Sequence, residues 1–121
     1  MFTTNKLAKF QTIALIVMLA LGIIGHILGM IDLTSGYVFY IMICIGGAFV
    51  TLVAVAQIIV GISEKQAWGI IGGLTALISW TFVVPGIAGL IVGSIFTVIA
   101  LIINASVAFE GKFIKLPTIK M

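Results

Sequence analysis

Four long apolar stretches without a single charged residue limit the fold of this chain more than any other feature. They cover residues 12–31, 37–60, 68–84 and 86–109. A helix of about 20 apolar residues crosses the roughly 30 Å hydrocarbon core of a bilayer. Pro85 lacks an amide N–H and disfavours helix at the residue before it, so it separates the third stretch from the fourth. The sequence therefore predicts an all-α integral membrane protein with four transmembrane helices in an up-down bundle.

The composition indicates the same class of protein. Hydrophobic residues make up 63% of the 121 residues and charged residues only 7%, whereas a soluble domain carries about 25% charged residues. With a net charge of +3 and no arginine, the chain also lacks the basic surface that nucleic-acid binding requires. We therefore predict a single transmembrane domain over residues 1–121, in contact with the lipid bilayer and without a nucleic-acid partner.

The lysines indicate how the helices are oriented. In a four-helix arrangement every lysine falls on one side of the membrane, and Asp32 falls on the other. The lysines are Lys6, Lys9, Lys65, Lys112, Lys115 and Lys120. Lysine-rich segments stay in the cytoplasm, and lysines next to anionic lipid bind its surface. The pattern predicts a multi-pass protein of the cell membrane with cytoplasmic N and C termini, and a short basic interfacial tail at residues 110–121.

Small residues recur at helical spacing in all four predicted helices. Because lipid provides little hydrophobic drive between helices, small residues that allow close backbone approach contribute much of the packing. We therefore predict that these positions contact other helices, either in the same chain or in a neighbouring subunit. The predicted packing residues are Gly22, Gly25, Gly29, Gly47, Thr51, Gly69, Gly73, Gly89, Gly93 and Thr97.

Uncharged polar side chains are the remaining hydrogen-bonding groups of the predicted helices. Gln57 and Asn104 lie near the predicted cytoplasmic ends of the second and fourth helices. Hydroxyl groups are present at Thr51, Thr75, Ser79, Ser94 and Thr97. We predict that these groups form hydrogen bonds between helices. The alternative is that they line a narrow polar path.

Reactive groups are scarce within the predicted helices. Without Asp, Glu, Lys or Arg, no acid–base or nucleophile–base pair can be assembled there, so we predict no catalytic residue and no cofactor. His26 with Met30 and Cys44 offers the nitrogen and sulfur ligands that suit copper. A single intramembrane histidine more often bonds to a neighbouring helix, so we predict a packing role and no metal.

These features favour a non-catalytic function. The sequence predicts a small integral membrane subunit that packs within a larger membrane protein complex and stabilises it, with hetero- or homo-oligomeric partners. The first alternative is a homo-oligomeric pore, either holin-like or a small channel. The second is an accessory subunit of a membrane metalloenzyme, or a metal-handling protein, that uses His26.

Overall fold

The chain folds into four helices packed as a bundle, which confirms the all-α prediction. The computed structural model describes residues 3–84 and 86–109, apart from the side chains of residues 33–36. The predicted tail at residues 110–121 lies outside this part of the chain. The elements are α1 (Thr4–Ile31), α2 (Leu33–Glu64), α3 (Ala67–Leu77), a 3₁₀ helix (Ile78–Val83) and α4 (Gly86–Ala108). The helices α1, α2 and α4 are long and apolar enough to cross a membrane, whereas the segment Ala67–Val83, formed by α3 and the 3₁₀ helix, is shorter.

The helices α1 and α2 extend beyond the apolar stretches that predicted them. The Thr3 side chain accepts a hydrogen bond from the Lys6 amide at 3.2 Å, which caps α1 before its apolar part begins. At the end of α2, Lys65 adopts a left-handed φ of 57°, and the Gln66 amide bonds to the Gly61 carbonyl at 2.8 Å. The apolar pattern located the part of each helix suited to lipid, and capping groups set the helix ends.

A 3₁₀ helix continues α3 toward the turn before α4. Pro85 disfavours helical backbone at Val84, which is extended (φ −65°, ψ 125°), so the helical segment ends at Val83. Residues three apart align in a 3₁₀ helix, and this places the buried Ser79 and Phe82 on one inward face. The apolar pattern predicted a helix over residues 68–84 but not its change in winding.

Neighbouring helices run antiparallel. Between α1 and α2, Gln11 bonds to Val50 and Thr4 bonds to Glu64, so residues early in one helix meet residues late in the other. The same kind of register joins α2 to α3, α3 to α4, and α1 to α4. The helices α2 and α4 lie diagonally opposite, without close backbone contact between their described residues.

Charged side chains are divided between the two ends of the bundle. The start of α1, the end of α2 and the start of α3 lie together, and this end carries the exposed Lys6, Lys9 and Lys65. Asp32 lies at the other end, between α1 and α2. The three described lysines therefore share one end, as the sequence predicts.

The bundle has a closed core and an apolar exterior. Leu15, Met18 and Phe82 are fully buried within the core cluster that joins the helices. The outer faces carry large aliphatic side chains instead. Ile13 and Leu52, for example, are 61% and 71% exposed. Such a surface is suited to contact with lipid.

Candidate functional site in the bundle interior

Two carboxamides join the diagonal helices α2 and α4. The Gln57 amide nitrogen donates to the Asn104 side-chain oxygen at 2.8 Å and to the Gly69 carbonyl at 3.0 Å. The Asn104 nitrogen donates to the Gly72 carbonyl at 3.1 Å and to the Ala100 carbonyl at 2.8 Å. Both side chains are fully buried. Since each amide nitrogen faces carbonyl oxygens, neither amide can be flipped without losing these bonds.

Gly72 makes room for this carboxamide pair. A Cβ atom at Gly72 would lie 2.7 Å from the Asn104 oxygen and 2.9 Å from the Gln57 nitrogen. Gly72 was not among the predicted packing residues, because it falls outside the GxxxG pair of Gly69 and Gly73. Its only signal in the sequence is that it stands one helical turn after Gly69.

A third buried carboxamide, Gln11, lies on the inner face of α1. Its nitrogen donates to the Val50 carbonyl at 3.1 Å, and its oxygen has no hydrogen-bond partner among the described residues. The Gln57 oxygen is likewise unpartnered. Sequence reasoning missed Gln11 because it precedes the first apolar stretch. Helix α1 extends through it, so the polar interior begins earlier than the pattern indicates.

The Phe82 ring lies between two predicted packing glycines. A Cβ atom at Gly22 of α1 or at Gly93 of α4 would lie 2.6 Å from the ring. These glycines therefore receive an aromatic side chain from the 3₁₀ helix. Because glycine has no side chain, both positions leave the space that the fully buried ring requires.

Gly47 has a similar relation to Trp80. A Cβ atom at Gly47 would lie 2.8 Å from the indole ring. The Trp80 indole nitrogen donates to the Thr51 hydroxyl at 2.8 Å, and that hydroxyl donates to the Gly47 carbonyl at 2.8 Å. Gly47 and Thr51, which share a predicted stripe, thus hold one tryptophan against α2.

Two more predicted glycines lie against neighbouring α-helices. A Cβ atom at Gly25 would lie 2.8 Å from the Phe39 Cβ atom. At Gly73 it would lie 2.7 Å from the Ile58 side chain and 3.0 Å from the Ala54 carbonyl oxygen. Gly73 is thus in close contact with the backbone of α2.

The remaining predicted small residues have different surroundings. Gly69 contacts the Thr4 side chain, and a side chain at Gly89 would collide with the Val84 carbonyl. Gly29 is partly exposed on α1, and Thr97 is fully buried on α4.

Thr4 joins the start of α1 to the end of α2. Its amide donates to a Glu64 carboxylate oxygen at 2.9 Å, and its hydroxyl donates to the same oxygen at 2.5 Å. The carboxylate thereby satisfies a free N–H group at the helix N-terminus, where negative charge is favourable. Thr4 is buried, and neither Thr4 nor Glu64 was among the predicted site residues.

The His26 ring bridges α1 and the turn before α4. Its Nδ1 atom lies 2.8 Å from the Gly22 carbonyl oxygen, and its Nε2 atom lies 3.1 Å from the Val84 carbonyl oxygen. The ring also packs against Phe82, with centroids 5.8 Å apart. Both ring nitrogens therefore lie within hydrogen-bond distance of backbone oxygens, and a neutral imidazole donates to one of the two.

The other two copper candidates lie on α1 and α2. Met30 is 52% exposed, and Cys44 is a partly buried free cysteine. Within residues 3–84 and 86–109, no group of three or more His, Cys, Asp or Glu side chains could hold a metal ion.

The fold and its interior together define an all-α bundle with three candidate transmembrane helices, an architecture suited to a multi-pass membrane protein in contact with lipid. No protein-family model, curated protein or solved structure matches this chain.

Proposed function

We propose that the chain is a small non-catalytic integral membrane subunit that packs within a larger membrane protein complex and stabilises it. The observation that supports this proposal is that polar side chains inside the bundle contact neighbouring elements of the same chain. The Gln57, Asn104 and His26 nitrogens bind backbone or side-chain oxygens of neighbouring elements. This use of the polar groups within the bundle supports a structural role rather than a catalytic one. The outer surface remains for interaction with other molecules.

The proposal includes four membrane crossings. The segment Ala67–Val83 consists of 11 residues in α3 and 6 residues in the 3₁₀ helix. At rises of about 1.5 and 2.0 Å per residue it extends about 28 Å, close to the roughly 30 Å hydrocarbon core. With Lys6, Lys9 and Lys65 at one end, the positive-inside rule favours cytoplasmic termini for the proposed protein of the cell membrane.

The filled core disfavours a solute path through a single bundle. Leu15, Met18 and Phe82 are fully buried among the helices, and Phe82 lies against both Gly22 and Gly93. The alternative of a pore would therefore require a channel between several copies. The metal-handling alternative has less support, because both His26 nitrogens already contact carbonyl oxygens.

Photo-crosslinking in native membranes tests the proposal. A photoreactive amino acid is introduced at Ile13, Leu52 or Ile91, one on each long helix and each at least half exposed. The buried Leu15 serves as the matched control. Each adduct is identified by mass spectrometry, and the tagged chain is also purified in mild detergent for native mass analysis.

The subunit proposal predicts that at least one outer face crosslinks to a different membrane protein, which co-purifies at fixed stoichiometry. Crosslinks only to copies of this chain, together with a pure homo-oligomer, would favour the pore. Adducts with lipid alone from all three faces, together with a monomeric mass, would rule out both.

A further inference from the structure

Ser79 and Thr97 differ from the other hydroxyl side chains of the bundle. Both are fully buried, yet neither hydroxyl oxygen has a hydrogen-bond partner among the described residues. Other hydroxyls donate to a carbonyl of their own helical segment at distances of 2.7–3.0 Å. These are Thr12, Thr51, Thr75, Thr81 and Ser106. Ser79 and Thr97 thus lack this hydrogen bond to a carbonyl of their own helical segment. Their burial makes an unpartnered hydroxyl costly in free energy.

The antiparallel register places these two hydroxyl residues at the same level of the bundle. Asn104 of α4 bonds to Gly72 of α3, and Gly93 of α4 contacts Phe82 of the 3₁₀ helix. Ser79 lies between Gly72 and Phe82 in sequence, and Thr97 lies between Gly93 and Asn104. Both hydroxyl residues therefore lie between the same two contacts that join the third helical segment to α4.

The residues near Ser79 and Thr97 indicate what kind of molecule could bridge the two hydroxyls. Ala76 and Ala100, which stand one turn from Ser79 and Thr97, are small and fully buried, so no polar side chain at these positions can reach the two hydroxyls. Each hydroxyl can both donate and accept a hydrogen bond. A small neutral molecule that both donates and accepts can pair with either function of each hydroxyl, and it brings no charge into the core.

We propose that Ser79 and Thr97 form a binding site for an internal water molecule that bridges the 3₁₀ helix and α4. Buried waters of this kind bond to polar groups that the protein leaves unpaired. In a membrane interior no bulk water can take that role. The site does not depend on what the chain assembles with, so it goes beyond the proposed function.

A double-mutant cycle tests the bridge. Ser79→Ala, Thr97→Val and the double variant are unfolded reversibly in mixed micelles, and the unfolding equilibrium constant is measured. Each single substitution removes one of the hydrogen bonds of the water, so we expect the constant to rise about 3- to 10-fold. The double variant should rise no further than the singles, since the first substitution already releases the water.

Matched controls separate the bridge from simple loss of a hydroxyl. Ser106 is buried like Ser79 but bonds to the Ile102 carbonyl, and Thr12 bonds to the Ala8 carbonyl. Ser106→Ala and Thr12→Val should change the constant by no more than about twofold, since their bonds are local to the helix. A constant that is unchanged or lower in Ser79→Ala and Thr97→Val would overturn the proposal, and so would additive effects in the double variant.

Radiolytic labelling gives a second readout, and its measurement on the wild type does not require any variant to fold. An X-ray pulse generates hydroxyl radicals from bound water, and these modify side chains nearby. Phe82 is fully buried and lies one 3₁₀ turn from Ser79. We expect modification of Phe82 in the folded wild type and its loss in the folded double variant. An unmodified Phe82 in the wild type, or equal modification in both proteins, would contradict a bound water.

Discussion

Gln57 donates a hydrogen bond to Asn104 at 2.8 Å, across the diagonal of the bundle between α2 and α4. The backbones of these two helices do not approach each other closely within the described residues. The same two side chains also reach the Gly69 and Gly72 carbonyls of α3. One pair of carboxamides therefore links three helices at one level.

This pair predicts a measurable coupling between two positions. Gln57→Leu and Asn104→Leu should each destabilise the bundle in mixed micelles by about 1–2 kcal/mol, since each leaves a buried partner without its hydrogen bond. Their coupling energy in a double-mutant cycle should be about 0.6–1.7 kcal/mol, from the average to the largest value for interhelical hydrogen bonds in membranes. Additive effects would show that the two side chains do not depend on each other.

Substitution of Gly72 tests the space beside the carboxamides. Gly72→Ala places a Cβ atom 2.7 Å from the Asn104 oxygen and should destabilise the bundle by about 1–3 kcal/mol. Gly46→Ala is the control, because its Cβ atom would lie 3.4 Å from the nearest atom, the Met18 sulfur. It should be neutral or stabilising by up to about 1 kcal/mol. Equal unfolding free energies for the two variants would contradict this geometry.

The Phe82 ring makes Gly93 sensitive to any added side chain. Gly93→Leu should separate the 3₁₀ helix from α4 and lower thermal stability, because the added atoms occupy the position of the ring. Phe82→Ala should cost about 3–5 kcal/mol through the cavity that it leaves. Ile91→Leu, at a position 53% exposed on the same helix, is the control and should do little. Thermal unfolding measures all three, and a Gly93→Leu variant as stable as Ile91→Leu would exclude this contact.

His26 separates a packing role from metal binding. His26→Gln keeps an amide that can donate a hydrogen bond toward the Val84 carbonyl, so assembly and thermal stability should largely be retained. His26→Leu removes the donor and should be less stable than His26→Gln. Elemental analysis should find no stoichiometric metal in the wild type or in either variant. One copper per chain, lost in His26→Gln, would replace the packing role with a metal site.

Cysteine labelling tests the proposed topology. In a Cys44→Ala background, Lys65→Cys should react with an impermeant thiol reagent only after the cytoplasmic side is opened. Asp32→Cys should react in intact cells, because it lies at the opposite end of the bundle. Labelling of position 65 from outside would reverse the orientation. Labelling of both positions from the same side would rule out the proposed crossings.

The sequence was sufficient for the helices but not for the partners of their polar groups. Uninterrupted apolar stretches and Pro85 located the four helical segments, because hydrophobic length and backbone restriction are local properties. The link between Gln57 and Asn104, and the burial of Gln11, depend on register between helices, which no local pattern specifies. The bond between Thr4 and Glu64 joins residues far apart in sequence for the same reason.

The glycines show a similar limit. Their spacing indicates that small residues face other helices. It does not reveal that Gly22 and Gly93 accommodate Phe82, or that Gly47 accommodates Trp80. Those contacts follow from the turn of the 3₁₀ helix, which directs the two aromatic side chains to different neighbours.

The winding of residues Ile78–Val83 also relates the thickness of the membrane to the position of one ring. Six residues wound as an α-helix rather than a 3₁₀ helix would be about 3 Å shorter. Each residue would also turn by about 100° instead of 120°, so Phe82 would rotate by about 80° relative to Ile78. A thinner bilayer that favoured the shorter form would therefore turn the ring away from Gly22 and Gly93. The 3₁₀ winding therefore determines both the length of this segment and the contact of its Phe82 ring with α1 and α4.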